Sequence, residues 1–195
     1  MSEFLVYLGL GKDHILDYAN GYDHILFVLA LCAVYKMGDW KRVLILVTAF
    51  TVGHSITLAL ATLSIVNVRT DIIEFLIPVT IFITALSNIL RRTERFQSPR
   101  LKSNYSYALI FGLIHGLGFS NYLKAILGQD ERVVTQLLAF NLGLEFGQII
   151  IVVLFMIVSF ILVDVLNRDH RDFKLVTSSA IAGVALVLIK ETVFW

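Results

Sequence analysis

The sequence predicts an all-α polytopic membrane bundle: about six transmembrane helices preceded by a short interfacial N-terminal helix, in one integral membrane domain over residues 1–195. Two observations carry this. The chain is 57% hydrophobic with a mean hydropathy of +0.80 and only 16% charged residues, against about 25% charged in an ordinary soluble domain. Most of the basic residues also fall in the connections between apolar runs. A bilayer core of about 30 Å needs roughly 20 apolar residues per helix. The runs that meet or approach this lie at about 23–36, 43–65, 71–90, 105–127, 133–164 and 174–194. The first is short and opens on Asp23, and the fifth is long enough to tilt or to emerge from the bilayer.

Ahead of these spans, residues 4–18 mix Phe4, Leu5, Leu8, Ile15 and Leu16 with Lys12, Asp13, His14 and Asp17. That mixture suits an interfacial helix, expected to break near Gly9–Gly11. The start Met1-Ser2-Glu3 is acidic where a cleavable signal would be basic, so the first span is expected to direct insertion.

Orientation follows from the basic residues. Eleven of the sixteen lie on one set of connections: Lys36, Lys41 and Arg42; Arg91, Arg92, Arg95, Arg100 and Lys102; Arg168, Arg171 and Lys174. The other set holds Lys12, Arg69, Lys124, Arg132 and Lys190. The positive-inside rule places the richer set in the cytoplasm and both termini outside, in a cytoplasmic (inner) membrane. Trp40, Tyr105, Tyr122 and Trp195 stand near span ends, where an aromatic belt belongs. A net charge of +1 gives no nucleic-acid signal, and two prolines and one cysteine exclude a proline-rich linker, a disulfide framework or a paired-cysteine zinc site. No internal repeat is legible, because the two His-bearing spans 43–65 and 105–127 differ too much.

Ionisable groups inside a span cost roughly 2.5–3.5 kcal/mol each, and persist where they face the bundle and have partners. Asp23 and His24 open the first span; His54 and Ser55 sit midway along the second, after Thr48 and Thr51; His115 lies in the small-residue stretch Gly112–Gly118; Asn141, Glu145 and Gln148 share one face of the fifth. At 1.5 Å per residue His54 and His115 lie about 15–16 Å from the inner end, and Glu145 about 18 Å from the outer end, so the three are expected at one level. Asp23 and His24 begin nearer the outer surface. That leaves one site in the outer half, or an upper and a lower site along one path.

Imidazoles with carboxylates are the ligand set of zinc, nickel and related divalent cations. A bound cation would also offset the burial of Asp23 and Glu145. Ser55, Asn141 and Gln148 would orient the ligands. Thr80, Thr84, Ser87 and Asn88 read as packing polarity, Cys32 as an apolar filler, Asp164 as interfacial and His170 as solvated. His14 is either an outer ligand or an interfacial residue.

Four segments, His14–Asp17 with Gly21–Phe27, Thr48–Leu58, Phe111–Phe119 and Phe140–Gln148, resemble the HupE/UreJ family of hydrogenase- and urease-accessory membrane proteins. The resemblance implies a six-span bundle and a role in nickel uptake, with His14, Asp23, His24 and Glu145 as metal contacts and His54 and His115 added from the shared segments. Eight residues separate His14 from Asp23, where the permease-type motif has five. Three functions fit: a permease or facilitator for a divalent, nickel-like metal; a zinc-dependent intramembrane hydrolase with Glu145 as general base; and a metal-free membrane assembly subunit. The expected partners are the bilayer, a metal ion and another copy of the chain, with no nucleic acid.

Overall fold

The computed structural model describes residues 2–18, 21–91, 101–120, 123, 126 and 133–195, with backbone alone for 101–104. Among these there are seven helices: α1 (Glu3–Leu16), α2 (Tyr22–Cys32), α3 (Trp40–Thr62), α4 (Thr70–Leu90), α5 (Leu101–Gly118), α6 (Val133–Phe160) and α7 (His170–Glu191). A 3₁₀ turn, Met37–Asp39, leads into α3, and a π-helical turn, Ile161–Val165, extends α6. Four of them, α3 with its leading turn, α4, α6 with its extension, and α7, are long and apolar enough to cross a membrane; α2 and Tyr105–Gly118 of α5 are shorter apolar helices. Arg92, Arg95, Arg100, Tyr122, Lys124, Arg132, the Lys102 side chain and the far end of the expected span 105–127 lie outside what is described.

Glycines decide which helices pair. A Cβ on Gly53 of α3 would run into the Leu109 carbonyl of α5; one on Gly112 into the Phe50 carbonyl; one on Gly116 into the His54 carbonyl and the Thr57 hydroxyl. The same happens between α1 and α6, where Gly11 lies on the Phe140 carbonyl, Gly143 on the Leu8 carbonyl and Gly147 on the Ile15 side chain. Small residues spaced four apart let helix backbones touch, and in lipid that contact, not water exclusion, holds helices together. In both pairs the contact numbers rise together, so α3 parallels α5 and α1 parallels α6.

The N-terminal helix therefore departs from expectation. It is continuous through Gly9 and Gly11, and it packs lengthwise on α6 instead of lying apart at an interface. Gly11 is a point of close backbone approach in that packing and not a break. The chain breaks later, between Asp17 and Gly21. There the Gly21 amide donates to the Asp17 carbonyl at 2.8 Å, and a Cβ on Gly21 would strike the His14 and Asp17 carbonyls.

α2 continues in the direction of α1. Its Ala30 carbonyl accepts from Asn88 Nδ2 (2.7 Å) near the end of α4, and the Val34 carbonyl faces His170 Nε2 (3.5 Å) at the start of α7. The expected first span, 23–36, thus holds α2, an apolar helix of 11 residues that is shorter than a full crossing. His170 is also buried here, not solvated as expected, because it closes the end of α2. α4 and α7 are antiparallel: buried Lys174 donates to the Arg91 carbonyl (2.8 Å) at one end, and Phe75 packs on Trp195 (5.1 Å) at the other. α3 leaves the end where α2 finishes, and α6 arrives there just before α7. The α1/α6 pair thus runs opposite to the α3/α5 pair. Thr80 and Thr84 bond to their own helix, and with Asn88 they are the packing polarity expected of them.

The outward face of α6 is apolar, with Leu138, Leu142, Phe146, Val153 and Ile157 exposed. An apolar stripe of that length suits lipid and not water. Replacing Gly53 or Gly112 by alanine should lower the unfolding midpoint in detergent, at a cost of about 1–3 kcal/mol for overpacking. Gly183→Ala, in open space within α7, should be neutral or raise it. Equal midpoints for all three variants would contradict the backbone contacts.

Candidate metal centre

The break between α1 and α2 and the two glycine-locked pairs bring histidines from four helices together. His14 ends α1, His24 begins α2, His54 lies midway along α3 and His115 near the end of α5. Ligand nitrogens of His14, His24 and His54 all lie within 4.8 Å of one another. The His24 ring is 4.9 Å from His14, 5.8 Å from His54 and 5.3 Å from His115, centroid to centroid. His54 and His115 are fully buried and His24 is 4% exposed.

Hydrogen bonds hold two of these rings, those of His24 and His115. His24 Nδ1 pairs with Asp23 Oδ1 at 2.8 Å, and the His24 backbone amide donates to the same oxygen at 2.7 Å. His115 Nδ1 pairs with the Phe111 carbonyl at 2.9 Å. With Nδ1 protonated in each, Nε2 keeps its lone pair. Among the described residues, Nε2 of His14, His24, His54 and His115 has no hydrogen-bond partner, although each is buried. A buried polar atom left unpaired costs about 1–3 kcal/mol, so the imidazoles of His14, His24 and His54, with His115 beside them, are a set of lone-pair donors in search of an acceptor. A divalent cation is an acceptor of that kind, and neutral imidazoles backed by a carboxylate or a carbonyl are its usual ligands.

The surroundings are aromatic. Phe119 lies 3.7 Å from the His14 ring and stacks on Phe140 at 5.2 Å; Phe27 and Phe50 each lie 5.2 Å from His115. These phenylalanines leave the imidazoles as the main polar groups at this level. Sequence reading missed them, since a phenylalanine in an apolar span carries no distinguishing mark.

Other expected site residues stand elsewhere. Asp23 is the hydrogen-bonded support of His24 in this arrangement. Ser55 Oγ donates to the Thr51 carbonyl of its own helix (2.7 Å). Asn141 Nδ2 donates to the Leu137 carbonyl (2.9 Å), and its side chain approaches His54 without a hydrogen bond of good geometry. Gln148 Oε1 accepts from Thr51 (2.7 Å), and Glu145 Oε1 accepts from Thr48 (2.7 Å). Thr48 precedes His54 by six residues, about 9 Å along α3. Glu145 therefore does not share the level of His54 and His115. It belongs to a short polar ladder between α3 and α6, Thr51–Gln148 and Thr48–Glu145, on the Trp40 side of the histidines. The structure thus gathers His14, His24 and His54, with His115 beside them, and pairs Glu145 with Thr48 instead.

This arrangement predicts unequal effects on binding of Zn²⁺ or Ni²⁺, read by calorimetry on purified protein. His24→Ala and His54→Ala should abolish measurable binding. Asp23→Asn should weaken it by roughly 10–100-fold, the usual cost of losing a ligand's hydrogen-bonded support. Glu145→Gln should change it by less than about threefold. A Glu145→Gln loss as large as that of His54→Ala would move the site to the ladder.

The family model described as HupE / UreJ protein aligns with residues 1–195. No curated protein and no solved structure matches the chain. The match spans all of it, including the four histidines and the ladder, and the chain belongs to the HupE / UreJ protein family.

Proposed function

We propose that this protein binds a divalent transition-metal ion, nickel-like in its ligand preference, and conducts it across the cytoplasmic membrane as cargo. The observation that carries the reading is the convergence of buried, unpartnered imidazole nitrogens from His14, His24 and His54, with His115 beside them, inside a bundle of apolar helices. The ladder to Glu145 supports transport over a resident catalytic metal. It offers the ion a hard oxygen group beyond the histidines, and passage requires more than one site of moderate strength. The hydrolase reading assigned the general base to Glu145, which is held by Thr48 away from the histidines.

Six crossings fit this reading. α1 and α2 hold 14 and 11 residues, together about 37 Å of helix at 1.5 Å per residue, enough for one interrupted crossing of a core of about 30 Å. A break at mid-membrane is tolerated where it lines a polar cavity, and this one carries His14, Asp23 and His24 on its two lips. α5 begins another crossing. The end bearing Lys36, Lys41, Arg42, Arg91, Arg168 and Arg171 would face the cytoplasm, with both termini outside.

Reconstituted vesicles enclosing a metal-sensitive dye provide the test. Wild-type protein should admit Ni²⁺ or Zn²⁺ with saturation. His54→Ala should show no flux above empty vesicles. Glu145→Gln should keep binding but slow flux at least tenfold. Stoichiometric binding by wild-type protein without any flux would overturn the cargo reading.

A further inference from the structure

The two glycine-locked pairs share more than their chemistry. Gly11 meets the Phe140 carbonyl and the Leu144 amide, and Gly112 meets the Phe50 carbonyl and the His54 amide. Gly143 meets the Leu8 carbonyl and the Lys12 amide, and Gly53 meets the Leu109 carbonyl and the Leu113 amide. One shift of 101 residues carries α1 onto α5, and one shift of 90 carries α3 onto α6, at every one of these contacts. The same shifts carry the contact of Thr57 with Gly116 onto that of Gly147 with Ile15, where the large and small partners have changed places.

Sequence and hydrogen bonding follow the register. Leu8, Gly11, His14 and Leu16 fall on Leu109, Gly112, His115 and Leu117; Ala49, Phe50 and Gly53 fall on Ala139, Phe140 and Gly143. Thr51 donates to the Val47 carbonyl, and Asn141, its counterpart, donates to the Leu137 carbonyl. The α1/α6 pair runs opposite to the α3/α5 pair, and α4 and α7 close the bundle antiparallel to each other. The repeat hidden from sequence reading is thus real, but it relates the first crossing to the fourth and the second to the fifth, not the two His-bearing spans 43–65 and 105–127.

We infer that the chain is two inverted repeats of three crossings each, and that the bodies formed by α1/α6 and α3/α5 rock against one another about the histidines, opening the site to the two membrane faces in turn. Inverted repeats give a protein two related conformations, each repeat adopting the shape of the other, around a site near the bilayer midplane. Here His14 and His115 are the related ligands. Each comes from one body, while His24 and His54 have no histidine counterpart among the described residues. Within each body the backbones are locked at glycine. Between them, among the described residues, no glycine contact crosses from α3 to α6, and Thr51 donates to Gln148 and Thr48 to Glu145 there. The ladder is therefore also the seam along which the bodies slide, so an ion moving from His54 toward Glu145 moves along the moving surface. This mechanism rests on the cargo reading for its purpose, but not for its geometry.

Distances between paired spin labels in vesicles test the motion, in a Cys32→Ala background. The pairs Ile65→Cys/Val134→Cys and Trp40→Cys/Leu166→Cys each join the two bodies, at opposite ends; Leu5→Cys/Leu166→Cys lies within one body. Both cross-body pairs should show two distances, one pair lengthening as the other shortens when Ni²⁺ or Zn²⁺ is added. The within-body pair should show one distance throughout. Single, unchanged distances for the cross-body pairs, with metal binding proved on the same samples by calorimetry, would overturn the rocking and leave the metal reading intact. Two cross-body distances without metal binding would support the repeats and remove the cargo.

Discussion

The close approach of helix backbones at glycine is the constraint on which the rest depends. His54 lies beside Gly53 on α3, and Gly112 and Gly116 of α5 let the two helices touch where His54 and His115 sit. Gly11, Gly143 and Gly147 draw α1 against α6 and deliver His14 to the same level. Gly21 lets the chain pass close against the His14 carbonyl, which brings Asp23 and His24, in the first turn of α2, beside it. Larger side chains at these positions would separate the helices and scatter the imidazoles. Stability in lipid and assembly of the site therefore have one origin: small residues remove bulk where the polar groups must meet.

Burial then gives the histidines their chemistry. An imidazole in water has partners on both nitrogens. Here Asp23 and the Phe111 carbonyl each take one, aromatic rings take the surrounding space, and four Nε2 atoms are left with nothing to bind among the described groups. Such an arrangement is costly unless a cation completes it. The ladder of Thr51, Gln148, Thr48 and Glu145 has the opposite character. Its members mostly satisfy each other, and an ion there would have to compete for oxygens already engaged. A site that attracts and a track that holds weakly are complementary properties for movement.

Much of this was legible in the sequence because charge in an apolar run is conspicuous. The apolar runs over 43–65, 71–90, 133–164 and 174–194 fall on the four long helices, and the polar set contains every histidine of the centre. What was not legible had physical causes. The N-terminal helix looked interfacial because Lys12 and Asp13 share its short sequence with leucines; its packing on α6 is decided by Gly11 meeting Phe140, a contact between distant residues. Glu145 was placed level with His54 because depth counted from span ends ignores where a long helix crosses its neighbour. The repeat escaped because its identities are few and pair a broken crossing with a later one, and only shared register reveals them. His170 sits among loop charges in sequence but closes the end of α2 in space.

The central claim is that His14, His24 and His54 are directed at one metal ion. X-ray absorption of the Ni²⁺- or Zn²⁺-loaded protein measures this directly, because imidazole ligands scatter in a characteristic pattern beyond the first coordination shell. One ion per chain is expected, with three imidazole nitrogens at about 2.0–2.1 Å for zinc, reduced to two or to none in His54→Ala. A loaded ion surrounded by oxygen with no imidazole pattern, or a spectrum identical in wild type and His54→Ala, would contradict it.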